Sequence, residues 1–159
     1  MTMKSKKRIK QTGEVFTPDW LVREVINKSP LEVWTDAAKT MIDPACGSGN
    51  FLVEIYKKKV ANGSSPLQAL RTLYGIDIMP DNIQECRKRL LHLSRDKTKL
   101  FLDPEAIKAV RNNIRLGDAL KFSMEDIFAP LNFASGDLRR FRFGQQQKEK
   151  KEGNDSDKT

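Results

Sequence analysis

The sequence predicts an α/β fold, a partial parallel sheet with flanking helices. Three observations carry this. Residues 40–42, 73–78 and 113–120 each read as a short strand. The first two are followed by segments whose apolar residues recur at helical spacing, and a short helix precedes the third. Between the first strand and its helix stands a glycine turn, Asp43-Pro44-Ala45-Cys46-Gly47-Ser48-Gly49-Asn50. In open parallel sheets, such a turn is the corner that holds a nucleotide-type cofactor.

The elements follow in order. Residues 1–11 form a basic arm, expected to be mobile. Thr17 is a good N-cap and Pro18 a good first helical residue. Trp20, Leu21, Val22, Val25 and Ile26 then mark a helix ending near Ser29-Pro30. Residues 31–39 read as a polar connection with an apolar patch at Leu31, Val33 and Trp34. Thr40, Met41 and Ile42 can extend into a strand. Pro44 has no N–H and cannot continue a central ladder. Gly47 and Gly49 let the backbone turn sharply and bring its N–H groups close to a ligand.

Phe51, Leu52, Ile55 and Tyr56 then set a helical period starting near Asn50. Gly63 would end that helix. Lys57, Lys58 and Lys59 read as its solvated end, favoured by the helix dipole. Residues 66–70 look like a short helix. The second strand leads to Pro80-Asp81-Asn82 and a helix with Ile83, Cys86, Leu90 and Leu93 on its inner face. Residues 104–112 form another helix with Ile107, Ala109 and Val110. The third strand ends in Gly117-Asp118, and residues 124–131 hold one more helical turn.

Composition sets the outer bounds. The chain of 159 residues suffices for about one domain. The segmentation expected is the arm at 1–11, a domain at 12–136 and a polar, disordered tail at 137–159. The tail has too few apolar residues to order itself. No apolar run approaches the roughly 20 residues of a membrane span. The basic residues 1–10 lead into polar Gln11-Thr12-Gly13, so no secretory signal is expected. Two cysteines give no disulfide framework, which suits a reducing cytosol.

The net charge is +8, and it is unevenly placed. Residues 1–10 hold five basic residues and no acid, and residues 139–159 hold seven basic residues against four acids, which leaves 17 of each sign between them. The excess therefore sits in the two tails. Basic arms suit a polyanion such as DNA through phosphate contacts and counterion release. They serve equally well as solubilising tails.

Three residue types invite a chemical reading. Asp43, at the end of the first strand, would repel a diphosphate but would suit a cofactor with a positive group. Asp77, at the end of the second strand, can accept hydrogen bonds from ribose hydroxyls. Cys46 reads as a small residue in a crowded turn rather than a nucleophile, and Cys86 as core. His92 is the only histidine and has no second one with which to build a metal site or triad.

The run Asp43-Pro44-Ala45-Cys46-Gly47-Ser48-Gly49-Asn50-Phe51-Leu52 resembles the S-adenosylmethionine-binding motif of amino-methylating DNA methyltransferases. It is most similar to the adenine-N6 enzymes of bacterial restriction–modification systems. Two further stretches agree. Thr12-Gly13-Glu14-Val15-Phe16-Thr17-Pro18 is similar to the family segment that folds over the cofactor's methionine end. Gly75-Ile76-Asp77-Ile78-Met79-Pro80 resembles the second cofactor motif.

The resemblance implies a Rossmann-like methyltransferase fold and S-adenosyl-L-methionine as cofactor. Phe16 and Thr17 are then contact positions. Asp43, Ala45, Gly47 and Gly49 face the methionine part. Asp77 with Ile78 takes the ribose side, and Asp118 with Ala119 the adenine amine. The implied partner is DNA, and the implied setting is the cytoplasm of a bacterium, or a phage gene.

The resemblance covers about residues 12–120. The family's Asn/Asp-Pro-Pro-aromatic catalytic tetrapeptide holds the target amine and stacks on the flipped base. No Pro-Pro occurs in this sequence. No catalytic residue is therefore assigned. The expectation is the cofactor half of an adenine methyltransferase, truncated or completed by a second chain carrying the catalytic and target-recognition half. A non-catalytic cofactor-binding module, or a gene remnant, is the alternative. A nicotinamide-dependent dehydrogenase fits worse, because position 52 is Leu where Gly-x-Gly-x-x-Gly needs its third glycine.

Overall fold

The computed structural model describes residues 17–95 and 103–130. Helices α1 (Asp19–Asn27) and α2 (Glu32–Thr35) precede β1 (Met41–Asp43). Helices α3 (Asn50–Ala61) and α4 (Pro66–Arg71) lead to β2 (Leu73–Asp77). Helices α5 (Pro80–Ser94) and α6 (Pro104–Asn113) lead to β3 (Ile114–Leu116), and α7 (Met124–Phe128) follows. The sheet has the order β1-β2-β3 and both pairings are parallel. The α/β class with a parallel sheet is as expected, and the architecture is Rossmann-like.

Register decides which side chains share a face. Asp43 lies opposite Gly75, and Asp77 opposite Leu116. Side chains alternate along a strand. Leu73 and Ile114 therefore point with Gly75 into the main core, where Leu52, Leu70, Cys86, Leu90, Leu91 and Val110 are buried. Full burial of one such leucine contributes about 1.5–3 kcal/mol. The opposite face carries Ile42, Tyr74, Ile76 and Arg115. Helix α7 covers part of it. Ile127 is buried, Phe128 meets the Tyr74 ring edge-on at 4.8 Å, and Arg115 donates to the carbonyls of Asp126 and Ala129. Helices thus lie on both faces, with only this short one on the second among the described residues.

Local chemistry explains most boundaries. Ser65 caps α4 in a reciprocal capping box with Gln68, and Pro66 opens the helix. Asp103 caps α6 through the Glu105 amide. Ser123 and Asp126 form the box that opens α7.

Four local expectations need correction. Thr17 does not cap α1. Pro18, extended at ψ 146°, takes the cap position without a side-chain bond, and the helix begins at Asp19. Residues 32–35 form a helical turn where a connection was expected, because burying Trp34 stabilises it. Leu91 rather than Leu93 is buried on α5; Leu93 faces outward.

The largest departure is Lys59. It is not solvated but fully buried, and its Nζ donates to the Lys39 carbonyl at 2.7 Å. Position 59 falls three, four and seven residues after Tyr56, Ile55 and Leu52, so it lies on the inner stripe of α3. Burial pushes its pKa down, and Asp36 opposes part of that shift. Lys58 instead lies over the Trp34 ring at 5.1 Å and donates to Asn27.

Candidate cofactor corner

The glycine turn joins the end of β1 to the start of α3. Asp43 turns its carboxylate back to accept the Ala45 amide at 3.1 Å. The Cys46 amide donates to the Ile76 carbonyl at 2.9 Å, which fastens the turn to β2. Gly49 caps α3 at φ +88°, a left-handed conformation that costs a side-chain-bearing residue about 1–2 kcal/mol. A Cβ there would also sit 2.5 Å from the Cys86 sulfur. Gly47 is left-handed as well, at φ +52°, and its amide points across to β2.

That amide donates to Oδ2 of Asp77 at 2.9 Å. Oδ1 of Asp77 accepts the Met79 amide at 2.8 Å and the Asn82 side chain at 3.1 Å. A carboxylate oxygen offers two acceptor sites. Oδ1 is therefore filled, while Oδ2 keeps one site for a further donor. Asp43 and Asp77 flank the same turn. Burial raises the Asp43 pKa, the Ala45 amide partly offsets this, and the negative charge of Asp77 raises it further. Two carboxylates so placed disfavour an added anion and favour a cation.

The third strand end joins through the backbone. The Gly117 amide donates to the Asp77 carbonyl at 3.0 Å, which sets Asp118 beside the end of β2. Asp118 accepts the Leu120 amide at 3.1 Å and so caps the 3-10 turn Ala119–Lys121. Ile78, Leu116 and Leu120 are exposed around these strand ends.

The described site positions thus gather at one edge of the sheet. Asp43, Ala45, Gly47 and Gly49 form the turn, Asp77 and Ile78 end β2, and Asp118 and Ala119 follow β3. Thr17 reaches the corner by another route, since its carbonyl accepts the Asn50 side-chain amide at 3.0 Å. Phe16 lies outside the described residues, as do both charged tails.

Three residues that the sequence reading passed over hold this corner. Asn50 Oδ1 accepts from Arg89 at 2.7 Å, and the same Arg89 nitrogen donates to the Ser48 carbonyl at 2.8 Å. Asn82 is buried against Asp77. One signal was available. Asn82 and Arg89 are seven residues apart on α5 and share the face that looks at the turn. Cys46 and Cys86 are both buried thiols. Contact with Cys86 and burial push the Cys46 thiol upward, so it stays protonated and is a poor nucleophile.

Among the described residues, no group of three or more His, Cys, Asp or Glu could hold a metal ion. None of the described helices is long and apolar enough to cross a membrane.

The architecture defines a Rossmann-like α/β domain with a glycine corner flanked by two carboxylates. The family model for N-6 DNA methylases matches residues 1–101 of the 159, and the chain belongs to that family. No curated protein and no solved structure matches it.

Proposed function

We propose that this chain is the S-adenosylmethionine-binding part of a DNA adenine-N6 methyltransferase, with the catalytic and target-recognition half outside these residues. The observation that carries the reading is the pair Asp43 and Asp77 on either side of a glycine turn whose Gly47 amide bonds to Asp77. That donor set suits a ligand carrying a sulfonium cation and a ribose. It does not suit a dinucleotide, whose pyrophosphate at the glycine turn would meet the Asp43 carboxylate.

The residues present fit the cofactor. The Asp43 carboxylate lies where it can attract the cation. The remaining acceptor site on Asp77 Oδ2 can take a ribose hydroxyl. The Asp118 carboxylate, beyond β3, is the acceptor for the adenine amine, and exposed Ile78 offers an apolar surface for the ring. Thr17, whose carbonyl holds Asn50 at the turn, is proposed for the methionine end. When bound, the cofactor supplies an electrophilic methyl group on a good leaving group. The chain's own contribution is then to bind and orient, a gain of up to about 7–11 kcal/mol when the acceptor is also fixed.

Fixing the acceptor needs a group for the target amine, and this sequence holds no Asn/Asp-Pro-Pro-aromatic loop. A partner chain, in a restriction–modification setting in the cytoplasm, is the proposed source. DNA is the proposed substrate, with the basic tails as its phosphate contacts. A second reading, a cofactor-binding module without transfer activity, rests on that same missing loop.

The test has two parts. Calorimetric titration should give micromolar or tighter binding of S-adenosylmethionine to the full chain; no binding would sink both readings. An assay with methyl-labelled cofactor and mixed-sequence DNA should then show no label with this chain alone. Label that appears only when the neighbouring gene's product is added establishes the split enzyme. Label in adenine N6 from this chain alone would overturn the account of the missing half.

A further inference from the structure

A second site lies away from the cofactor corner. A groove of about 580 Å³ runs between α3 and α5. Its apolar lining is the buried Val53 and the exposed Leu93. Its walls are strongly basic. Lys88 and His92 stand four residues apart on one stripe of α5, and Arg95 follows in extended conformation at the helix's C-cap, lining the same groove. Lys57 faces them from α3, and Glu85 is the one carboxylate lining the groove among the described residues.

Most cations on folded surfaces are paired or scattered, and these differ. Lys57 is held by Glu54 at 2.6 Å, and Arg89 is held by the glycine turn. Lys88 and Arg95 have no ion-pair partner among the described residues, although both are exposed on the groove's rim. Among the described residues the arrangement leaves a net positive charge along a concave surface, Glu85 notwithstanding, which concentrates field lines on an anionic ligand.

We infer that this groove binds the phosphate backbone of duplex DNA, through Lys88 and Arg95 as direct phosphate contacts. Two features select a nucleic-acid backbone. From Lys88 to the end of α5 at Ser94 the helix rises about 9 Å at 1.5 Å per residue, and Arg95 follows at its C-cap. That length covers about three phosphates of one strand at 3.4 Å of axial rise each. The contacts are also long, flexible cations without an accompanying base-reading amide, as suits positioning rather than sequence choice. The assignment rests on the DNA-directed reading above, yet it involves none of the cofactor residues. Through Arg89 the groove adjoins the glycine turn, so DNA held there lies on the same subdomain as the cofactor.

The experiment uses the full chain, a fluorescently labelled mixed-sequence duplex and anisotropy titrations in rising salt. Four proteins are compared: wild type, K88Q/R95Q, K88R/R95K, and the charge-matched control K28Q/K39Q, whose lysines lie outside the groove. Two lost phosphate contacts should lower the log–log salt slope by about 1.8 and weaken binding at about 0.1 M salt by at least tenfold. The control should keep a slope near that of wild type, and K88R/R95K should restore most of the affinity. Cofactor titration of K88Q/R95Q separates the two proposals, since its S-adenosylmethionine affinity should equal that of wild type. Equal losses in K88Q/R95Q and the control would reduce the effect to net charge and overturn the groove assignment. An unchanged slope in K88Q/R95Q would overturn it too, as would absence of duplex binding by wild type. Polyglutamate that displaces the duplex from wild type, and binds K88Q/R95Q more weakly, would reassign the groove to an acidic polypeptide.

Discussion

The amide of Gly47 donates to Oδ2 of Asp77 at 2.9 Å, joining two residues 30 positions apart. One carboxylate thereby holds the glycine turn in shape and presents its remaining acceptor site at the strand ends. Under the proposed function, building the turn and meeting the cofactor's ribose fall to the same side chain. Substitutions at Asp77 should therefore act on stability and on binding together.

Asp77→Ala leaves the amides of Gly47 and Met79 and the Asn82 side chain without their acceptor. A hydrogen bond to a charged group is worth about 1.5–3 kcal/mol, so a stability loss of that order is expected in urea unfolding. S-adenosylmethionine affinity should fall by a similar energy, about tenfold or more. Asp77→Asn keeps one acceptor oxygen and should lie between the two. Wild-type affinity in the alanine variant would remove Asp77 from the ribose site.

Gly49→Ala meets two obstacles, a left-handed φ of +88° and the Cys86 sulfur 2.5 Å from the new Cβ. The φ alone costs about 1–2 kcal/mol. In a Cys86→Ala background the sulfur collision is removed, leaving the position-86 Cβ at 3.2 Å, and the φ is unchanged. The same substitution should then be less damaging, which a double-mutant cycle by thermal or urea unfolding measures. Additive effects would mean that the two positions do not touch.

Under the proposed function, Asp43 should link cofactor binding to pH. Its folded pKa lies above 3.8, because burial and then the Asp77 charge outweigh the Ala45 amide. A cationic ligand prefers the ionised carboxylate, so affinity should fall as pH drops through that raised value. Asp43→Asn should bind weakly at every pH and lose this dependence. The sign for stability is opposite. The folded state holds the Asp43 proton more tightly than the unfolded one, so ionisation costs stability as pH rises through the window above 3.8. Titrations and unfolding curves at several pH values check both signs.

Lys59 produces a pH effect at the alkaline end. Its folded pKa is lowered from 10.5 by burial, so the unfolded chain binds the extra proton. Stability should rise with pH between the lowered value and 10.5. Lys59→Met removes the titrating group and should flatten that rise. It should be near neutral in overall stability, because it removes a buried cation along with one hydrogen bond to Lys39. An unchanged pH slope in the methionine variant would mean that Lys59 is not the group responsible.

The sequence by itself determined the strand–turn–helix order, the glycine corner and Asp77 at a strand end. Those signals are local. Pro44 stops a strand, and Gly47 and Gly49 permit a sharp turn, each within a few residues. Tertiary structure decided what depends on elements meeting. Thr17 proved to offer its carbonyl to Asn50 rather than its hydroxyl to a helix, because Pro18 took the cap. Lys59 went inside because α3 packs on both flanks, which an inner-stripe position allows and a run of three lysines conceals. Arg89 reached Ser48 and Asn50, 41 and 39 residues away, and Asp77 reached Gly47. Such pairings depend on how strands align and helices cross the sheet, and no short-range pattern encodes them.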